Sequence, residues 1–233
     1  MAEELTHVPS HQAVLDSLVD CLRDAYCKRI IIHREPQVGK TNILRNLNNL
    51  LGQRPIQLEL DYVIWVTFPT RRPELEPGDF ITDIQDKILQ RVGLTGQNGG
   101  SGKTEVISRA LREKSYLLLF DGFSLSIGLE DIGISEEHEH GKVIIEAPYL
   151  LRKFPLAKNI ELEWLSTPDS RILFDKIIAD EKLSEENRDL GVKIVDELGG
   201  LPGGDRIYST MAEQPGMQTR RLLERFESKI ERC

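Results

Sequence analysis

At 233 residues, with a net charge of −8 and a pI near 5.3, the chain is long enough to bury a substantial core and too acidic for a domain whose main task is neutralising a phosphate backbone. Hydrophobic residues at 39% and charged residues at 29% are ordinary globular usage, which excludes wholesale disorder and predicts a soluble domain with no nucleic-acid partner. Cys21, Cys27 and Cys233 have no metal-ligand spacing and leave one thiol over. No basic start precedes an apolar stretch, and no apolar run nears the roughly 20 residues of a membrane span, so a cytoplasmic protein without disulfides or a membrane span is expected.

Val14, Leu15, Leu18, Val19 and Leu22 recur at helical spacing, and the helix they predict runs up to Lys28 and Arg29. Residues 29–33, with three consecutive isoleucines, have the pattern of a strand buried on both faces, and a helix from Thr41 to about Leu51 follows a short loop. A second strand of the buried type spans Tyr62 to Phe68, followed by a loop carrying Pro69, Pro73 and Pro77. Ile84, Ile88, Leu89 and Val92 then mark a helix that stops before the glycine-rich residues 96–102, and helix resumes from Thr104 to Lys114.

Tyr116 to Asp121 is a third apolar strand, ending in a carboxylate, and Lys142 to Ile145 is a fourth beyond an acidic loop. From about Leu156 the spacing of Leu162, Trp164, Leu165, Leu173, Phe174, Ile177 and Ile178, and later of Val192, Ile194, Val195 and Leu198, is helical, with no further strand predicted. An α/β fold is therefore expected, a P-loop NTPase-like parallel sheet with flanking helices over residues 1–155. A small all-helical subdomain should cover residues 156–233, with the boundary between Phe154 and Leu162.

The strand, loop and helix from His33 to Leu50 supply the context of a Walker A loop, in which backbone N–H groups and a helix N-terminus hold phosphate. Gly39, Lys40 and Thr41 match that motif, with Lys40 on the β and γ phosphates and Thr41 on Mg²⁺. Arg34 and Gln37 stand where the loop favours glycine, so taken alone these residues read equally well as an ordinary helix start. Asp121 at a strand end fits a Walker B carboxylate that binds Mg²⁺; taken alone it reads more readily as a strand ending at a turn beside Gly122, and its pairing with the GKT triplet favours the Walker B reading. Gly99 to Thr104 contains a second GKT string, but its preceding segment reads as helix, which makes it a decoy or linker with Lys103 as a secondary anion candidate. His138, Glu139 and His140 in the acidic loop read as a solvated segment rather than a metal site.

In order and spacing these segments resemble the NB-ARC domain of coiled-coil-type plant resistance proteins with leucine-rich repeats, from Val8 to about Ile230. Tyr62 to Thr67 looks like the family's strand after the P-loop helix, and Leu117 to Asp121 is similar to its kinase 2 motif. Leu129-Glu130-Asp131-Ile132-Gly133-Ile134 resembles the segment just after, Gly141 to Ile145 the next strand, and Gly199-Gly200-Leu201-Pro202 the GLPL motif. The resemblance implies an ADP-bound resting and an ATP-bound active state. The nucleotide would be held by Val8, Val38, Gly39, Lys40, Thr41, Asn42 and Pro202, with Mg²⁺ on Thr41 and Asp121. Other receptor domains or immune-signalling proteins are the implied partners.

Departures from the family pattern accompany it. Gly122 replaces a second acidic residue, Pro148 a phosphate-sensing arginine, Gly203-Gly204 an apolar pair and Pro9 a glycine. Loss of a water-orienting carboxylate and of a cation on the γ phosphate predicts very slow hydrolysis or none. Two other readings remain open: an interaction module that binds no nucleotide and modulates intact receptors, and an active ATPase of the wider AAA-like group.

Overall fold

In the computed structural model, which describes residues 8–36, 38–52, 58–68, 77–95, 102–122, 127–135 and 138–178 together with 192, the triple-isoleucine run forms strand β1 (Arg29–His33), with Ile30, Ile31 and Ile32 fully buried. A strand apolar on both faces is stable only where helices cover both sides of its sheet. Such a sheet forms here. Strand β2 (Tyr62–Thr67) pairs in parallel with β3 (Tyr116–Asp121), β3 with β4 (Gly141–Ala147), and β4 with β1. Ile64 faces Leu118, Leu118 faces Val143, and Ile144 faces Ile30 in register.

A fifth strand, β5 (Lys158–Glu161), completes the order β2-β3-β4-β1-β5. The helical spacing read beyond Leu156 predicts no strand here. Three of the four β5 residues are polar, so no apolar pattern announces it; β5 is extended because it pairs with β1 at the sheet edge, where short polar strands are the rule.

Helix α1 (Pro9–Arg23) precedes β1, α2 (Lys40–Gly52) lies between β1 and β2, α3 (Pro77–Arg91) and α4 (Lys103–Leu111) lie between β2 and β3, and α5 (Thr167–Ile178) follows β5. Each of the first four turns an apolar stripe inward: Leu15, Leu18 and Leu22; Ile43, Leu44 and Leu47; Ile84, Ile88 and Leu89; Ile107 and Leu111. The expected strand and helix alternation up to about residue 155 is therefore present. Of the predicted helical tail, residues 179–191 and 193–233, including Pro202 and Gly203-Gly204, lie outside the described residues.

The chain divides into two compact units. One, Leu18–His33 with Leu47–Ile160, holds strands β1 to β4 and a core that includes Ile31, Ile64, Val66, Leu118, Phe120 and Ile145. The other consists of Met1–Ser17, Arg34–Asn46 and Glu161–Cys233.

Within the first unit, Lys142 of β4 reaches the end of α1, where its Nζ donates to the carbonyls of Cys21 at 3.4 Å, Asp24 at 2.6 Å and Cys27 at 2.8 Å. The last carbonyls of a helix have no partner along the helix, and a cation complements the negative end of its dipole. His138, expected in solvent, is instead buried: its Nδ1 lies 2.7 Å from the Tyr116 hydroxyl and its Nε2 3.3 Å from the Ser108 hydroxyl. Glu139 and His140 are exposed as expected. The acidic flanks hid a histidine whose partners come from α4 and β3.

Burial, reinforced by the neighbouring Cys21 thiol, pushes the Cys27 thiol from 9.0 up to about 11, and burial also pushes the Tyr116 phenol up. A group whose pKa is raised by folding contributes stability below its unfolded pKa and loses it as pH climbs toward the folded value. Urea unfolding from pH 8 to 11 should therefore show stability falling from about pH 9, where Cys27 begins to ionise in the unfolded chain. In Cys27→Ala the onset should move to about pH 10, the tyrosine range; the same onset in both proteins would contradict this.

Candidate functional site

Strand β1 ends at His33 and α2 begins at Lys40, so the chain from Arg34 to Gly39 leads from a strand end to a helix N-terminus. Such a terminus leaves N–H groups without intrahelical partners and carries partial positive charge, which suits an anion. Gly39 turns the chain into the helix at φ +95°, the left-handed region that favours glycine, and its carbonyl accepts from the Ile43 N–H at 3.1 Å. A Cβ on Gly39 would lie 3.1 Å from the Cε1 of His11, a buried α1 residue, so the glycine also makes room.

Lys40 is only 4% exposed, and its ammonium donates to the carbonyls of Arg34 at 3.0 Å and Glu35 at 2.9 Å. A buried charge is tolerated only when paired or hydrogen-bonded, and here the loop's own backbone supplies acceptors. Val8 and Val38 are fully buried, while Thr41 and Asn42 are half-buried at the start of α2. Gln37 and Pro202 lie outside the described residues.

Arg34, at the position where the loop favours glycine, turns its guanidinium toward the segment that follows β5. Nη1 pairs with Glu161, Nε lies 3.3 Å from the Glu35 carboxylate, and the group stacks over the Trp164 ring at 5.4 Å. Neither Glu161 nor Trp164 stands out in sequence as a loop partner. Trp164 reads there as one apolar residue in a helical spacing, and the 127 positions separating Arg34 from Glu161 carry no local signal.

Asp121 is half-buried at the carboxyl end of β3, the edge at which parallel sheets bind ligands, and its carbonyl accepts from the Phe68 N–H at 2.9 Å. Gly122 follows at φ +75°, so the backbone there disfavours the side chain a second acid would need. Pro148 is exposed directly after β4 and places no cation there.

The second GKT string has a different context, since the element before it is α3 and not a strand. Lys103 pairs with Asp86 at 2.5 Å, and the Thr104 hydroxyl accepts from Gln85 at 2.9 Å and donates to the Asp131 carbonyl at 3.3 Å, so both side chains serve local packing. Among the described residues no three His, Cys, Asp or Glu side chains gather as a metal site, and no helix is long and apolar enough to cross a membrane.

No family model matches the chain. It is similar to a disease resistance protein of Arabidopsis thaliana, at 26% identity over 215 residues that cover 86% of this chain and 21% of that protein. The Arabidopsis disease resistance protein UNI is 24% identical over 183 residues, 73% of this chain and 19% of that protein. The chain thus spans about a fifth of the length of these relatives.

Among solved structures it resembles Cdc6p from Pyrobaculum aerophilum (TM-score 0.58, 15% identity, 84% of this chain and 57% of that one). Domain III of the Thermotoga maritima replication initiation protein DnaA is also similar (TM-score 0.53, 17% identity, 95% of this chain and 94% of that one). So is the replication initiator DnaA bound to AMPPCP and single-stranded DNA (TM-score 0.50, 15% identity, 91% and 63%). At such identities the likeness is one of fold. The chain is a P-loop NTPase-like parallel sheet with flanking helices, and its curated relatives are plant disease resistance proteins.

Replacing Gly39 by alanine tests the loop geometry directly. A side chain in the left-handed region costs about 1–2 kcal/mol, and the Cβ must also displace His11. Gly39→Ala should lower the urea midpoint accordingly, and wild-type stability would show that the loop does not need this turn.

Proposed function

We propose that the chain is the nucleotide-binding part of an NB-ARC switch module acting in plant defence signalling, in the cytoplasm, and that it holds ADP or ATP while hydrolysing slowly or not at all. The observation that carries this reading is the buried Lys40 ammonium at the N-terminus of α2, beside the left-handed turn at Gly39. A phosphate group accepting from Lys40 and from the N–H groups of the loop and helix would offset a cation and a helix dipole at once. The structural likeness to an AMPPCP-bound DnaA and the disease resistance proteins among its relatives support the nucleotide and the defence role respectively.

The residues present fit the phosphates better than they fit a free metal. Thr41 offers a hydroxyl and Asp121 a carboxylate, and a magnesium ion demands six oxygens, so the remaining ligands would have to be phosphate oxygens and water. Bound Mg²⁺ would neutralise charge on the β and γ phosphates. Val8, Val38 and Asn42 are assigned to the nucleotide's surroundings, and Pro202, in the proposed helical subdomain of residues 156–233, to the lid over the nucleotide. DNA, named for the DnaA complex, is not carried over, because a chain of net charge −8 would gain little from releasing counterions.

Slow turnover follows from the chemistry missing around Asp121. Gly122 has no carboxylate to orient a water and Pro148 no cation to meet charge developing on the γ phosphate. A second reading, an interaction module without nucleotide that modulates intact receptors, is favoured by one observation: the Lys40 ammonium is already satisfied by the carbonyls of residues 34 and 35.

Thermal unfolding with ADP or ATP and Mg²⁺ separates the two. Ligand at about 100 times its Kd adds roughly 2.7 kcal/mol, and each kcal/mol raises Tm by about 2–4 °C for a chain of this size. A rise of about 5–10 °C that disappears in Lys40→Ala is expected, with ATP turnover close to the uncatalysed background. No rise at millimolar nucleotide would favour the interaction module, and brisk Lys40-dependent turnover would overturn the slow-hydrolysis part.

A further inference from the structure

We propose that Arg34, Glu161 and Trp164 form a clasp that holds the phosphate loop in its self-satisfied shape, so that nucleotide must release this clasp in order to bind. The proposal rests on the nucleotide reading of Lys40 given above and concerns the regulation of that same site. Residues 34 and 35 are fixed from two sides. Their carbonyls accept from the Lys40 ammonium, and the Arg34 side chain pairs with Glu161 and lies over the Trp164 ring. Phosphate can engage all three donors of the Lys40 ammonium only if the ammonium leaves those carbonyls, and the loop can reshape around the phosphate only if Arg34 follows.

The charges point the same way. Glu35 and Glu161 both hold the Arg34 guanidinium, so two carboxylates stand at the opening of a loop that must admit a polyphosphate. Two carboxylates against one guanidinium leave the clasp with negative charge in excess, and negative charge repels phosphate. Glycine at the opening position, as the motif favours, would lack the cation that gathers these two carboxylates at the loop.

The clasp also has a firm far end. Leu162 and Leu165, on either side of Trp164, are buried at 1% and 3% exposure, and the Ser166 hydroxyl accepts from the Asp169 N–H at 3.2 Å at the start of α5. This is a side-chain cap that fixes where the helix begins. Arg34 therefore links the phosphate loop to an anchored helix entry, and release of the clasp is the event through which nucleotide state would reach α5.

The test is calorimetric titration of ADP with Mg²⁺ into the 233-residue chain, its Glu161→Gln and Trp164→Leu variants, and Lys40→Ala. An exposed ion pair and a cation–π contact are each worth about 0.5–1 kcal/mol, so either substitution should tighten ADP binding about two- to fivefold while Lys40→Ala abolishes it. Affinity unchanged or weakened in Glu161→Gln, with the wild type binding, overturns the clasp and leaves the nucleotide reading standing. No binding by the wild type or either clasp variant overturns that reading and the clasp with it. Glu161 is exposed at a strand end, so Glu161→Gln decides the matter if Trp164→Leu unfolds.

Discussion

The buried ammonium of Lys40 is the constraint around which the rest of the site is arranged. It occupies the first position of α2, where the helix dipole is positive and where a cation is the less favourable charge, and the first turn of that helix contains no acid to offset it. Its ammonium donates to the backbone carbonyls of Arg34 and Glu35. The helix N-terminus adds its partial positive charge at the same point. A phosphate would balance both. The triple isoleucine of β1 matters because it fixes where the loop starts, and the left-handed turn at Gly39 matters because it aims the helix.

On the proposed reading, the departures from the motif sort by chemistry. The positions that would bind phosphate, Gly39, Lys40 and Thr41, keep the residue types their motif requires, whereas those that would assist hydrolysis do not. At Gly122 the loss is written into the backbone, since a φ of +75° makes a side chain there costly in itself. A single Gly122→Asp change would thus meet conformational resistance before it met any catalytic question. Binding without turnover, as proposed above, would suit a switch, in which the occupied state and not the product carries information.

Legibility in the sequence followed the locality of the interactions. Strands β1 and β3 were readable because Ile30 to Ile32 and Leu117 to Phe120 are apolar on both faces, a pattern that only a covered sheet satisfies. The helix after the loop was readable from Ile43, Leu44 and Leu47. Strand β5 was not, because Lys158, Asn159 and Glu161 are polar and are extended through pairing with β1. His138 was misread because acidic neighbours suggested solvent, while its partners Tyr116 and Ser108 lie 22 and 30 residues away. The destination of Arg34 was open on sequence alone for the same reason: whether that side chain fills the loop or leaves it depends on Glu161 and Trp164.

Lys40 and the clasp act on the same two residues, and this has a thermodynamic consequence. If nucleotide binding at Lys40 disfavours the contacts of Arg34 with Glu161 and Trp164, then by linkage anything that disfavours those contacts raises nucleotide affinity by the same factor. The coupling cannot exceed what the contacts themselves are worth, which for an exposed ion pair and one cation–π contact is about 1–2 kcal/mol. That is too little to drive a switch from fully off to fully on, which requires roughly 5.5 kcal/mol. It is enough to shift the nucleotide concentration at which the proposed site would fill.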